Sequence, residues 1–145
     1  MRKSFLVFVF LIVKTVCMSQ SIDSLASITD TSKYATLYVY RPSSIVGVAI
    51  GYDLYVDDKV VCRIKSGVKY AIKVYKEGTI EVWGKTESKE SIMINTKFGE
   101  EYYIKCGLSP GLAVGRPSLV IEEKNIGQEK YLKIKKKKDN VDNGW

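Results

Sequence analysis

The chain has 145 residues, 46% of them apolar, 27% charged and only 3 proline, which suits one globular domain and excludes disorder or a collagen-like repeat over most of its length. It contains no histidine, so serine–histidine and cysteine–histidine catalysis within the chain are excluded, along with the commonest metal ligand. Of the 23 basic residues, 3 lie in the first nineteen positions and 6 from Lys130 onward, leaving 14 basic against 14 acidic residues between Gln20 and Glu129. The net charge of +7 therefore belongs to the two ends, and the neutral body offers no basic face for nucleic acid.

Met1-Arg2-Lys3 is followed by an apolar run from Phe5 to Val13, then Lys14. A short basic start and about nine apolar residues read as an export signal, too short for a membrane span of about twenty. Cys17 and Ser19 supply the small residues for cleavage before Gln20, so residues 1–19 are expected to be a signal peptide in helical form. A second reading has Cys17 lipidated, although Val16 and Lys14 depart from the usual residues of a lipidation signal. Residues 20–34 are rich in Ser, Thr and Asp and read as a polar tether.

From Ala35 short β-rich runs alternate with turns. Thr36–Arg41 alternates Leu37 and Val39 with Tyr38 and Tyr40, and Pro42 ends it. Ser43–Gly51 is a loop or an edge strand. Tyr52–Val56 and Val60–Ile64 flank Asp57-Asp58-Lys59, a hairpin signal. Tyr70–Tyr75 and Thr79–Trp83 are divided by Lys76-Glu77-Gly78, where glycine can take positive φ. Ser91–Asn95 and Glu101–Cys106 follow, then the break Ser109-Pro110-Gly111, then Leu119–Glu122 and Tyr131–Ile134 with Gly127 between them. Eight or nine strands at this spacing, with no sustained helical period, predict an all-β, antiparallel β-sandwich over residues 35–134. Residues 135–145 are expected to be a basic and polar tail.

The runs Leu37-Tyr38-Val39-Tyr40-Arg41-Pro42, Leu54-Tyr55-Val56-Asp57-Asp58-Lys59-Val60-Val61, Lys76-Glu77-Gly78-Thr79-Ile80-Glu81-Val82 and Glu101-Tyr102-Tyr103-Ile104-Lys105 resemble the bacterial domain of unknown function 2846 family. The resemblance covers about Ala35–Leu132. The middle hairpins are also similar to PEGA-type surface modules. The family resemblance implies an exported, often lipidated, β-rich envelope protein; the expected shape is Ig-like or PEGA-like, and the expected location is the periplasm or cell envelope of a Gram-negative bacterium. A mature N-terminal glutamine resembles Bacteroidetes signals. The alternative location is a lipid anchor in the outer membrane. The family carries no activity and no catalytic residues.

Alternation puts Cys62 on the face of Val60 and Ile64, and Cys106 on that of Tyr102 and Ile104, so both point inward. A disulfide closing their 44-residue separation is one reading, worth about 4 kcal/mol on the chain-entropy account. Two separate buried thiols are the other. The acid pairs Asp57-Asp58, Glu100-Glu101 and Glu122-Glu123 point apart as strand or turn neighbours, and no metal-ligand spacing is present. No catalytic residue, metal or cofactor is therefore expected.

Tyr38, Tyr40, Tyr55, Tyr75, Trp83 and Tyr103 fall opposite the aliphatic face, an outward aromatic patch if neighbouring strands bring them together. The alternative is ordinary cross-strand pairing of half-exposed tyrosines. The lysine run from Lys133 to Lys138 either rests on a polyanionic surface or is simply solvated. The expected function is a non-catalytic envelope protein that binds a protein or surface polymer through a sheet face or edge. The membrane would be met only through the signal, a lipid on Cys17 or the tail. The alternative is a small-ligand carrier or hydrolase with a pocket between the loops Pro42–Gly51 and Ser109–Pro117.

Overall fold

Period-two alternation buries every second side chain of a strand against a second layer, and eight such strands fold here into two facing sheets. The structure is a computed structural model and describes residues 33–135. The expected signal, nearly all of the tether and all of the tail after Lys135 lie outside them. The strands are β1 (Ala35–Arg41), β2 (Tyr52–Val56), β3 (Lys59–Ile64), β4 (Val68–Val74), β5 (Gly78–Lys85), β6 (Lys89–Thr96), β7 (Glu101–Ser109) and β8 (Arg116–Glu122), followed by helix α1 (Lys124–Lys133). Sheet A has the order β4-β1-β7-β8 and sheet B the order β3-β2-β5-β6. The fold is an all-β sandwich.

The core is the aliphatic half of each strand. Leu37 and Val39 (β1), Ile72 and Val74 (β4) and Ile104 (β7) face Leu54 and Val56 (β2), Ile64 (β3), and Ile80 and Val82 (β5). Two tyrosines fasten the layers: Tyr52 Oη donates to the Gly107 carbonyl at 3.1 Å, and Tyr70 Oη to the Arg63 carbonyl at 2.8 Å.

Three expectations are corrected. The sheets are not wholly antiparallel, because β1 and β7 pair in parallel, Leu37 opposite Tyr102 and Val39 opposite Ile104. Lys76-Glu77-Gly78 divides two strands as read, with Gly78 at φ +94°, and because β4 belongs to sheet A and β5 to sheet B the segment crosses between layers. Val60 faces solvent, not the core, because the β2–β3 register slips between Leu54 and Tyr55: Leu54 pairs with Cys62, Tyr55 with Val60, and Val61 turns inward at the bulge. Finally, Tyr131 lies in α1 and not in a strand.

The helix hides from pattern analysis because its buried face consists of Gly127 and Tyr131 alone, four residues apart, while Ile126 and Leu132 are exposed. Gly127 is not a turn residue. A Cβ there would lie 2.2 Å from Tyr103 Cβ, so its missing side chain lets the helix rest directly on β7.

All turns fall at two ends of the sandwich. One end holds the start of β1, the Asp57-Asp58 turn, the β4–β5 crossing, the Lys97–Gly99 turn and the start of α1. The other holds the β1–β2 loop, the Lys65–Gly67 turn, the Thr86–Ser88 turn, the β7–β8 loop and the end of α1. The helix runs back over the outer face of sheet A, packing on β7 and β1.

Candidate binding face

The six aromatic residues singled out by the sequence separate into three places. Tyr38, Tyr40 and Tyr103 do share the outer face of sheet A, with Tyr38 opposite Tyr103 in the β1–β7 register and their rings stacked at 4.9 Å. Tyr131 of α1 then closes over them, edge-on to Tyr38 at 5.0 Å and to Tyr40 at 6.2 Å. Tyr40 is 0% exposed and Tyr103 3%, so the outward patch expected here is instead the seat of the helix. Burial pushes the Tyr38 and Tyr131 phenols up to about 12. Around the seat, Tyr40 Oη donates to Glu122, Lys130 Nζ donates to the same carboxylate at 2.6 Å, and Lys69 Nζ reaches the Tyr131 carbonyl at 3.0 Å. Burial works against the Glu122 carboxylate, yet Lys130 and Tyr40 together hold it below its usual range.

Tyr75 sits at the end where the chain enters, edge-on to Tyr34 at 5.5 Å. Tyr55 and Trp83 lie opposite each other on the outer face of sheet B, stacked at 3.8 Å and nearly parallel. In the same row Tyr55 is flanked by Val60, and in the next row Met93 stands opposite Glu81. Val60 is 54% and Met93 60% exposed, and α1 does not reach this face. Among the described residues it is therefore the open face of the sandwich, with ion pairs Asp53–Arg63 (2.9 Å) and Glu81–Lys89 (2.8 Å) set around the apolar side chains. Each face of the Trp83 ring has a neighbour: Tyr55 stacks on one, so Lys89, 4.6 Å from the centroid, lies over the other.

Asp57, Glu100, Glu101 and Glu122 each have structural partners. Asp57, at φ +49°, accepts the Glu81 N–H at 2.9 Å and Lys76 Nζ at 2.6 Å, and its carbonyl accepts Trp83 Nε1 at 2.7 Å. The Lys76 bond, helped by that N–H, pulls its carboxyl below the usual range. Glu100 accepts Tyr102 Oη at 2.6 Å, and Glu101 pairs with Lys124 at 2.9 Å. Among the described residues no group of three His, Cys, Asp or Glu is placed to hold a metal ion. Cys62 and Cys106 are both buried free thiols; burial raises both, Cys106 to about 12.

Two residues that shape the loop end gave no sequence signal. Arg41 is buried, and its guanidinium donates to the Ile50 carbonyl at 2.8 Å and the Gly47 carbonyl at 2.9 Å, holding the β1–β2 loop from inside. Glu87 accepts the N–H groups of Leu112 (3.0 Å), Ala113 (3.0 Å) and Val114 (3.3 Å), pinning the β7–β8 loop. These contacts are between segments distant in sequence, so no local motif announces them. The two loops enclose a cleft of about 280 Å³ lined by Val46, Ile50, Leu108 and Val114, with no ionisable side chain in its wall. It lies where the sequence suggested a pocket.

No family model matches this chain, and no solved structure matches it. It is 30% identical over 99 residues to an uncharacterized protein of Haemophilus influenzae, a match covering 68% of this chain. The chain spans 58% of that relative's length. Among the described residues no helix is long and apolar enough to cross a membrane.

Proposed function

We propose that this is an exported, non-catalytic protein of the bacterial cell envelope that binds another protein through the outer face of sheet B. The observation that carries the reading is the asymmetry of the two sheets: helix α1 roofs sheet A, while among the described residues nothing covers the row Val60, Tyr55 and Trp83 and the adjoining Met93 on sheet B. Apolar rows ringed by charged pairs suit protein association. A surface polysaccharide fits less well, because sugar rings stack on free aromatic faces and both faces of Trp83 have neighbours. The basic start, the apolar run 5–13 and the resemblance to the domain of unknown function 2846 family support export. A small-ligand carrier is the second reading, favoured by the loop cleft, but its roughly 280 Å³ falls below the span usual for such sites, about 300–1,000 Å³. Its wall supplies no group for hydrolysis.

Two measurements test the proposal. Intact mass of protein recovered from the envelope should place the mature start at Gln20; a species beginning at acylated Cys17 would replace a soluble location with a lipid anchor. A photo-crosslinking residue at Met93 should trap a specific partner in the native envelope, and the same residue at Gln128 on α1 should not. Equal products from both positions would remove sheet B as the binding face. Val60→Glu should weaken capture by tenfold or more, on the order expected for a charge buried without a partner.

A further inference from the structure

At the end of the sandwich away from the chain's entry, the β1–β2 and β7–β8 loops stand side by side with apolar side chains turned outward. Ile45 is 94%, Val46 83% and Leu112 96% exposed. Contiguous apolar groups this exposed are uncommon in a monomer and mark a surface that meets something. Nor are the loops merely slack. Arg41 grips the first through two carbonyls, and Glu87 pins the second through three N–H groups, while Thr86 Oγ1 donates to the Gly115 carbonyl at 2.5 Å. Two separately anchored loops therefore hold large apolar residues outward at this end.

The charge around these tips is mostly basic, with Glu87 in the β5–β6 turn and Glu90 just after it as acids at the same end. Residues 42–51 and 110–115 contain no charged residue. Lys65 follows β3 at this end, and Arg116, 3.8 Å from the Glu87 carboxylate, opens β8. Beside the first loop runs a groove of about 620 Å³, lined by Pro42, Ser43, Ser66 and Gly67 and by Lys130, Lys133, Ile134 and Lys135 from the end of α1 onward. Glu122 and Glu129 offset Lys130 and Lys133 in part, and the sequence continues from Lys135 through three further lysines. Glu87 presents its carboxylate to the loop N–H groups and not to the solvent front. Exposed apolar loop tips next to a lysine-lined groove differ from the well-packed, largely uncharged centre of a protein interface.

We propose that this end of the sandwich docks on an anionic phospholipid bilayer. Ile45, Val46 and Leu112 enter the boundary between headgroups and acyl chains, and the lysine groove takes a lipid phosphate. The outer face of sheet B then stands at the side of the docked molecule, so this inference does not depend on what that face binds.

The test uses the full chain with vesicles of phosphatidylcholine alone or mixed with phosphatidylglycerol, and reads binding by flotation. Wild type, Ile45→Ser/Leu112→Ser and Lys65→Gln/Lys135→Gln are compared. Wild type should bind the anionic vesicles roughly tenfold or more above the neutral ones. The loop variant should lose about tenfold in partition, and the lysine variant should lose most of the preference for anionic lipid. All three should melt alike, because the changed side chains are exposed. Undiminished binding by the loop variant overturns the proposal and assigns the affinity to the apolar run 5–13, which all three share. Failure of wild type to bind, with a dimer that the loop variant abolishes, overturns it in favour of a second copy of this chain. Broadening of the Ile45 and Leu112 amide signals by a spin-labelled lipid gives a second readout, and broadening confined to other regions counts against the proposal.

Discussion

Replacing Gly127 by alanine opposes two effects of known sign. Alanine is the better helix former by about 1 kcal/mol, so an exposed helix would gain from the change. Here the new Cβ would stand 2.2 Å from Tyr103 Cβ and 2.7 Å from its Cγ. These are the stem of a strand residue, fixed by the backbone of β7, and cannot swing aside as a side-chain tip can. The helix must therefore lift by more than about 1 Å, loosening Tyr131 from Tyr38 and Tyr40 and stretching the Lys69–Tyr131 bond. Overpacking of this kind costs about 1–3 kcal/mol, and the rigid contact places it at the upper end. After the helix-propensity gain, the expected net loss is about 2 kcal/mol, or roughly 8 °C in melting temperature for a domain of this size. Thermal unfolding followed by near-ultraviolet circular dichroism measures it, with exposed Gln128→Ala as a control expected within about 0.5 kcal/mol of wild type. A Gly127→Ala protein as stable as wild type, or more so, would refute the seating of α1 on β7.

Three further outcomes are expected. Asp57→Asn keeps the residue tolerant of positive φ while removing the charge, so it should lose about 1 kcal/mol at neutral pH, a figure held low by partial exposure. The Asp57 carboxyl sits below its usual value in the folded chain, so its contribution is present above the unfolded pKa of about 3.9 and disappears as pH falls through the folded value; the variant's stability should fall less on acidification. Glu87→Gln should speed hydrogen exchange of the Leu112–Val114 amides by roughly tenfold while leaving global stability nearly unchanged, and unchanged exchange would show the carboxylate does not hold the loop. Cys62 and Cys106 should resist alkylation at pH 8 in the folded chain and both react in denaturant, as mapped by peptide mass; a non-reduced mass lower by two hydrogens would show a bridge instead.

Strand positions were legible because each strand has one wet face and one dry face, a pattern written in neighbouring residues. Leu37 and Val39 against Tyr38, and Ile80 and Val82 against Glu81, are inward and outward as their alternation required. The Asp57-Asp58 hairpin was equally readable, since tight turns draw on a few residue types. Val60 shows where this logic stops: a single bulge reverses the face of every residue before it, and no residue in β3 announces the bulge.

By itself the sequence determined the all-β class, the positions of the eight strands from β1 to β8, though it added Tyr131–Ile134 as a further one, and the neutral, histidine-free body, all of which follow from local alternation and from counting. Only the tertiary structure decided which strands share a sheet, that β1 and β7 run parallel, and that three of the six aromatics lie under a helix. The reason is that pairing and coverage depend on residues far apart in the chain. Gly127 is where this is plainest, since the absence of a side chain reads as a turn until Tyr103, twenty-four positions earlier, is found against it. The same holds for Arg41 and Glu87, whose roles at the loop end exist only once the loops they hold have been brought to them.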